Sequence, residues 1–99
     1  MAINTSTPYN KNYCTLSGTY TGTEDIEYEI KITNNTGTEF KWRTKPFGGV
    51  WSSQTTVTNH SAGSAYSLSN GLSVTFTRQT LGSYNNGDKW VFFVASDLK

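Results

Sequence analysis

The sequence predicts an all-β chain: a single antiparallel β-sandwich of about seven short strands with an extended N-terminal arm. Three observations predict it. Apolar and polar residues alternate with a period of two over several short stretches, which puts one face of each strand inward. Gly-containing turns, among them Asn70-Gly71 and Asn86-Gly87, separate those stretches. No segment has the length and periodicity of a helix. At 99 residues, with 34% apolar and 14% aromatic, the chain can build one core, and a few large rings must supply most of its buried area.

Residues 1–12 are polar, contain Pro8 and follow neither helical nor strand periodicity, so they read as the arm, and 13–99 as the sandwich domain. Tyr13-Cys14-Thr15-Leu16-Ser17-Gly18-Thr19-Tyr20 suits a first strand, with Gly18 marking a bulge, and Thr21-Gly22-Thr23 a turn. The strongest pattern covers 25–45. There Ile26, Tyr28, Ile30 and Ile32 alternate with Glu27, Glu29 and Lys31, and Phe40 and Trp42 alternate with Glu39, Lys41 and Arg43. This is a hairpin with one wet face.

The register of that hairpin sets turn chemistry against charge. A three-residue loop of Asn35, Thr36 and left-handed Gly37 places Ile30 opposite Trp42 and Glu29 opposite Arg43, but also Lys31 opposite Lys41. A shift of two residues puts Ile30 opposite Phe40 and improves every charge contact. Exposed ion pairs contribute under about 1 kcal/mol each, whereas misplacing the left-handed residue costs roughly 1–2 kcal/mol. The first register is therefore expected, and Ser69-Asn70-Gly71 allows the same loop with Leu68 opposite Leu72.

Pro46-Phe47-Gly48-Gly49 breaks the chain again, and a strand carrying Trp51 is expected over 50–57. Residues 58–64 read as a loop. Strands over 65–68 and 72–77 flank Ser69-Asn70-Gly71, with Leu72, Val74 and Phe76 on one face. The last strand covers 88–95, where Trp90, Phe92 and Val94 share one face and Val91 and Phe93 make the other apolar too, which suits a central strand. Ile30, Trp42, Phe76, Trp90 and Phe92 are the expected core.

Chemistry-bearing residues are sparse. Only 15% of residues are charged and the net charge is +1, so no field exists to steer the chain to nucleic acid or anionic lipid. No apolar run approaches the roughly 18 residues of a membrane span, and no charged-then-apolar leader is seen. Cys14, the only cysteine, reads as a buried small hydrophobe, and His60, the only histidine, as a solvated loop residue. Neither metal spacing, nor a phosphate loop, nor a nucleophile elbow occurs, so no cofactor and no catalytic set is expected. Glu24, Asp25, Glu27 and Glu29 form an acidic run, of which Glu27 and Glu29 face basic Lys41, Arg43 and Lys45 across the hairpin, and cross-strand charge pairing accounts for them without catalysis. Aromatic residues beside glycines or in loops remain as interface candidates: Tyr9, Phe47, Trp51 and Tyr84.

Three stretches together carry a family resemblance: Ser17-Gly18-Thr19-Tyr20-Thr21-Gly22-Thr23 leading into Asp25-Ile26-Glu27-Tyr28-Glu29-Ile30, then Leu68-Ser69-Asn70-Gly71-Leu72-Ser73-Val74-Thr75-Phe76, then Gly87-Asp88-Lys89-Trp90. Their order and spacing resemble small immunoglobulin-like β-sandwich modules of bacteriophage virion proteins, which also occur as tandem repeats in bacterial surface proteins. The resemblance implies a non-enzymatic structural protein located in the virion. It would be a capsid decoration or cement protein, or else a tail or baseplate accessory. Its partners would be other virion proteins, with a homo-oligomer possible. A carbohydrate-binding or cell-surface adhesion module using Trp51 is the alternative. The arm is expected to become ordered on another chain, with Tyr9 as anchor.

Overall fold

The described residues of the computed structural model are 2–6, 12–34, 38–60, 63–78 and 86–96. They form eight strands: β1 (Ala2–Ser6), β2 (Asn12–Gly18), β3 (Ile26–Ile32), β4 (Phe40–Pro46), β5 (Thr55–Val57), β6 (Tyr66–Ser67), β7 (Leu72–Arg78) and β8 (Lys89–Ala95). One sheet has five strands in the order β1-β8-β3-β4-β5, the other three in the order β2-β7-β6, and every pairing is antiparallel. The two-sheet sandwich expected from the alternation is the fold. The larger sheet follows position by position the order of a variable-type immunoglobulin sheet, with β1 in the place of that fold's last strand.

Between the sheets lies one core. Tyr28, Ile30, Ile32, Phe40, Trp90, Phe92 and Val94 point inward from the larger sheet, and Leu72, Val74 and Phe76 meet them from the smaller. Its centre is a set of packed rings, Phe40 edge-on to Phe76 at 4.9 Å and Phe76 tilted against Trp90 at 6.2 Å. Of the five residues expected there, Ile30, Phe76, Trp90 and Phe92 are fully buried, while Trp42 is half-buried and stacks on Tyr28. Trp42 is more open because its neighbour on that side is the three-residue edge strand β5, which ends at Thr55 opposite it.

The hairpin register is the one that turn chemistry selects. Ile30 stands opposite Trp42, Glu29 opposite Arg43 and Lys31 opposite Lys41. The loop tip, 35–37, lies outside the described residues, but its base is held by Asn34. The Asn34 Nδ2 donates to Thr38 Oγ1 at 2.9 Å, and the Thr38 N–H donates to Asn34 Oδ1 at 3.2 Å. A side-chain amide closing its own turn is a device the glycine position alone does not reveal. In the β6–β7 hairpin Asn70 and Gly71 both take positive φ, 54° and 82°, and the Leu68 N–H donates to Leu72 O at 2.8 Å. Leu68 and Leu72 are thereby set across from each other, as expected.

The stretches that carry the resemblance turn out to be joints of the backbone. Gly18, at φ 103°, and Gly71 lie so close that a Cβ on Gly18 would collide with the Gly71 carbonyl, and a Cβ on Gly71 with that of Thr19. The Thr21 N–H donates to Asn70 O at 2.9 Å, and the buried Tyr28 hydroxyl meets Ser69 Oγ at 2.8 Å. At the other end, Gly87 N–H donates to Ile32 O and Ile32 N–H to Asp88 O, both at 2.8 Å. Each stretch thus ties one sheet edge or strand end to the next.

Four expectations are corrected. Residues 1–12 do not all stand apart from the sandwich, because Ala2–Ser6 adds to the larger sheet as β1, pairing with β8, and Asn12 already belongs to β2. Edge amides of β8 gain partners that way, which pattern alone cannot foresee in so polar a strand. The strand expected over 50–57 is confined to Thr55–Val57, because the preceding residues bond to β4 only at Ser52, through Ser52 N–H to Thr44 O at 2.7 Å and Thr44 N–H to Ser52 Oγ at 3.1 Å. His60 is only partly solvated: its ring packs edge-on against Phe40, Tyr66 and Phe76, and Nε2 lies 2.9 Å from Ser64 O. Nor is β8 buried on both sides. It is central, between β1 and β3, but Val91 and Phe93 on its outer face are only half-buried.

Candidate functional site

Among the described residues, the outer face of the five-stranded sheet gathers a block of charged side chains together with the partly or fully exposed rings Phe47, Trp51 and Phe93. Strand alternation sends Glu27, Glu29 and Lys31 of β3, Lys41, Arg43 and Lys45 of β4, and Lys89, Val91 and Phe93 of β8 to this side, because their neighbours in sequence fill the core. Register then forms rows across the three strands. Glu27 lies between Lys45 and Phe93, Glu29 between Arg43 and Val91, and Lys31 between Lys41 and Lys89.

In the middle row the Arg43 guanidinium grips Glu29 with two hydrogen bonds, Nε to Oε1 at 2.9 Å and Nη2 to Oε2 at 3.1 Å. Glu29 is only 5% exposed, so this charge depends on its partner. Lys45 Nζ sits 3.0 Å from Glu27 Oε2 in the next row. Above the two cations lies the Trp51 ring, its centroid 4.6 Å from Arg43 Cζ and 5.3 Å from Lys45 Nζ. Acid, cation and indole are stacked in three layers, each satisfying the one below.

Beside this stack, Phe47 stands edge-on to Phe93 at 5.4 Å and remains 70% exposed, with Val50 open to solvent as well. The Phe47 N–H donates to Asp25 O at 3.0 Å, which fixes the turn after β4 over the start of β3. A shallow groove there is lined by Thr23, Glu24, Asp25, Pro46 and Phe47. Asp25 Oδ1 also accepts the Ser96 N–H at 2.9 Å, so the groove floor is braced by the end of β8. The opposite end of the face presents Lys31, Lys41 and Lys89 on adjacent strands.

Of the four interface candidates, Phe47 and Trp51 are brought to this one face, Trp51 half-buried over β4 and Phe47 exposed over β8; Tyr9 and Tyr84 lie outside the described residues. Phe93, Arg43 and Lys45 complete the surface. Phe93 could have been found from its phase, opposite to Trp90 and Phe92, whereas the seating of Trp51 on Arg43 and Lys45 depends on how 48–54 folds back.

The arrangement can bind; its carboxylates Glu27 and Glu29 are committed to ion pairs rather than poised as acid or base. Cys14 is buried against β7, and burial pushes its thiol well above the ordinary range, away from the nucleophilic thiolate. Among the described residues no three His, Cys, Asp or Glu side chains group as metal ligands, and no helix is long and apolar enough to cross a membrane. No family model, curated protein or solved structure matches the chain.

Proposed function

We propose that the chain is a non-enzymatic structural protein of a phage virion, one that decorates or cements the capsid, with a tail or baseplate position as the second placement. The observation that carries this reading is the exposed Phe47–Phe93 pair beside the Trp51–Arg43–Lys45 stack on a rigid sheet. Exposed rings and an arginine held over a sheet are what protein interfaces use as energetic centres, and ion pairs made within the face leave little charge to be stripped of water on docking. The resemblance of the three backbone joints to virion modules gives the setting. Partners are then other virion proteins, and neither nucleic acid nor membrane is required.

Mass spectrometry of purified virions tests the location, and rebinding of the purified chain to particles that lack it tests the face. Wild-type chain should saturate the particles, and Phe47→Ser with Trp51→Ser should bind at least about tenfold more weakly, the loss of one or two anchor residues. Undiminished binding by the double variant would move the interface elsewhere. The alternative, a carbohydrate-binding or adhesion module, is favoured by one feature, an indole held over β4 as a stacking platform. Retardation on polysaccharide affinity gels, lost in Trp51→Ser, would select it.

A further inference from the structure

We propose that β1 is an exchangeable strand, which in the assembled state leaves its own β8 and pairs with β8 of a second copy of this chain. The inference deepens the structural reading above and takes from it only the crowded setting. The observation is topological. β1 sits at the edge of the larger sheet, pairs with β8 alone, and belongs to a different sheet from β2, the strand that follows it in sequence. Only residues 7–11 join the two. Six Cα steps from Ser6 to Asn12 reach at most about 20 Å, enough to cross one sandwich, about 10 Å thick, or to deliver the strand outward to a neighbour within that distance.

What β1 covers makes its pairing necessary and its source immaterial. β8 is the most apolar strand, Lys-Trp-Val-Phe-Phe-Val-Ala, with Trp90, Phe92 and Val94 fully buried. Without a strand beside it, β8 would present the apolar stretch Val91 to Ala95 as an edge with unpaired amides. The five paired positions run Ala2↔Ala95, Ile3↔Val94, Asn4↔Phe93, Thr5↔Phe92 and Ser6↔Val91. A ladder of this register is the same whether the donor comes from the same chain or from a copy. Exchange therefore loses no contact, which is why identical elements swap readily. β1 also lacks the devices that blunt edge strands, having no charged residue and no proline, a property it shares with the edge β2, whereas the edges at β5 and β6 are blunted by their length of three and two residues.

A second copy is the occupant because it carries the one strand already matched to β8. In dilute solution the tether holds the chain's own β1 at an effective concentration in the millimolar range, and the closed form prevails. Neighbouring copies held at such concentrations compete with it. Because donor and acceptor are different surfaces, exchange links copies head to tail and can close a ring or extend along a lattice.

The test uses the purified chain alone, separate from any particle. Chains bearing Ser6→Cys are mixed with chains bearing Val91→Cys and bridged by a short bis-maleimide, the buried Cys14 being left in place. The expected product is the mixed dimer, increasing at least about tenfold in yield between dilute and millimolar chain, and abolished in a Ser6→Cys donor that also carries Ile3→Pro and Asn4→Pro, since one of two successive amides must face β8. Ala2→Cys with Ala95→Cys reads the other end of the same ladder should Val91→Cys fold poorly. Bridging only within single chains of a Ser6→Cys/Val91→Cys double variant, with no mixed dimer at millimolar concentration, would overturn the proposal. Absence of the protein from virions would instead overturn the functional reading and leave exchange standing.

Discussion

The inner and outer faces of the strands β8, β3 and β4 use the same residue types to opposite ends. On the inner face Trp90, Phe92, Tyr28 and Phe40 are sealed between the sheets. On the outer face Trp51 rests on the ion-paired Arg43 and Lys45, Phe47 packs edge-on against Phe93, and all three rings remain in part open. Inside, a ring contributes by the area it removes from water and by close packing, so its loss leaves a cavity. Outside, a ring laid over a solvated cation adds little to folding and remains available to a partner. The difference teaches that aromatic content in a weakly charged chain divides into a stabilising set and a presenting set, Phe93 set apart from Trp90 and Phe92 by strand phase and Phe47 and Trp51 by their place in the connection after β4.

The comparison is broken most severely at Trp90. Trp90→Ala should cost about 3–5 kcal/mol, a large part of the roughly 5–15 kcal/mol that holds a domain of this size, and urea denaturation followed by circular dichroism measures it. A loss below about 1 kcal/mol would mean that the core does not depend on this ring.

A smaller effect is expected where the outer face does contribute to folding. Arg43→Ala strands the Glu29 carboxylate, only 5% exposed, and should cost about 1–2 kcal/mol, less than for a fully buried pair because Arg43 itself is in contact with water. Lys45→Ala, whose pair with Glu27 is more open on both sides, should cost under about 0.5 kcal/mol. Equal losses in the two variants would erase the distinction between the rows.

Trp42 sharpens the boundary, since it points inward yet is half-buried, and its Nε1 is shielded from water with no hydrogen-bond partner among the described residues. An unsatisfied donor of this kind costs roughly 1–3 kcal/mol, so Trp42→Phe, which discards the N–H together with some area, should change stability by less than about 1 kcal/mol in either direction. Thermal unfolding of the variant reads the sign directly. The smallest effect on folding is expected for Phe47→Ser. With the ring 70% exposed, it should leave stability within about 0.5 kcal/mol of wild type while weakening attachment to particles.

Much of the fold was legible because it rests on local signals. The register of the β3–β4 hairpin is the one expected from three loop positions between Asn34 and Thr38, and it keeps the Glu29–Arg43 and Glu27–Lys45 pairs at the cost of setting Lys31 against Lys41. The core positions Ile30, Phe76, Trp90 and Phe92 follow from phase within their strands. The partial burial of His60 is not legible in Asn59-His60-Ser61, a polar stretch in which nothing local says that Phe40, Tyr66 and Phe76 will converge on the ring. The candidate face was half legible: Phe47 and Trp51 stood out as rings in loops, while Phe93 was absorbed into a strand taken as buried on both sides.

By itself, then, the sequence determined an all-β sandwich, the register of its main hairpin, most of the core and a weakly charged exterior, since period, turn residues and composition act over a few neighbouring positions. Tertiary structure alone decided that Gly18 and Gly71 would touch, that Trp51 would lie over Arg43 and Lys45, and that Ala2–Ser6 would close the edge of β8. Those are contacts between segments distant in sequence. They are chosen by which surfaces remain unpaired after the local elements have formed, and that remainder is a property of the whole assembly of strands rather than of any stretch within it.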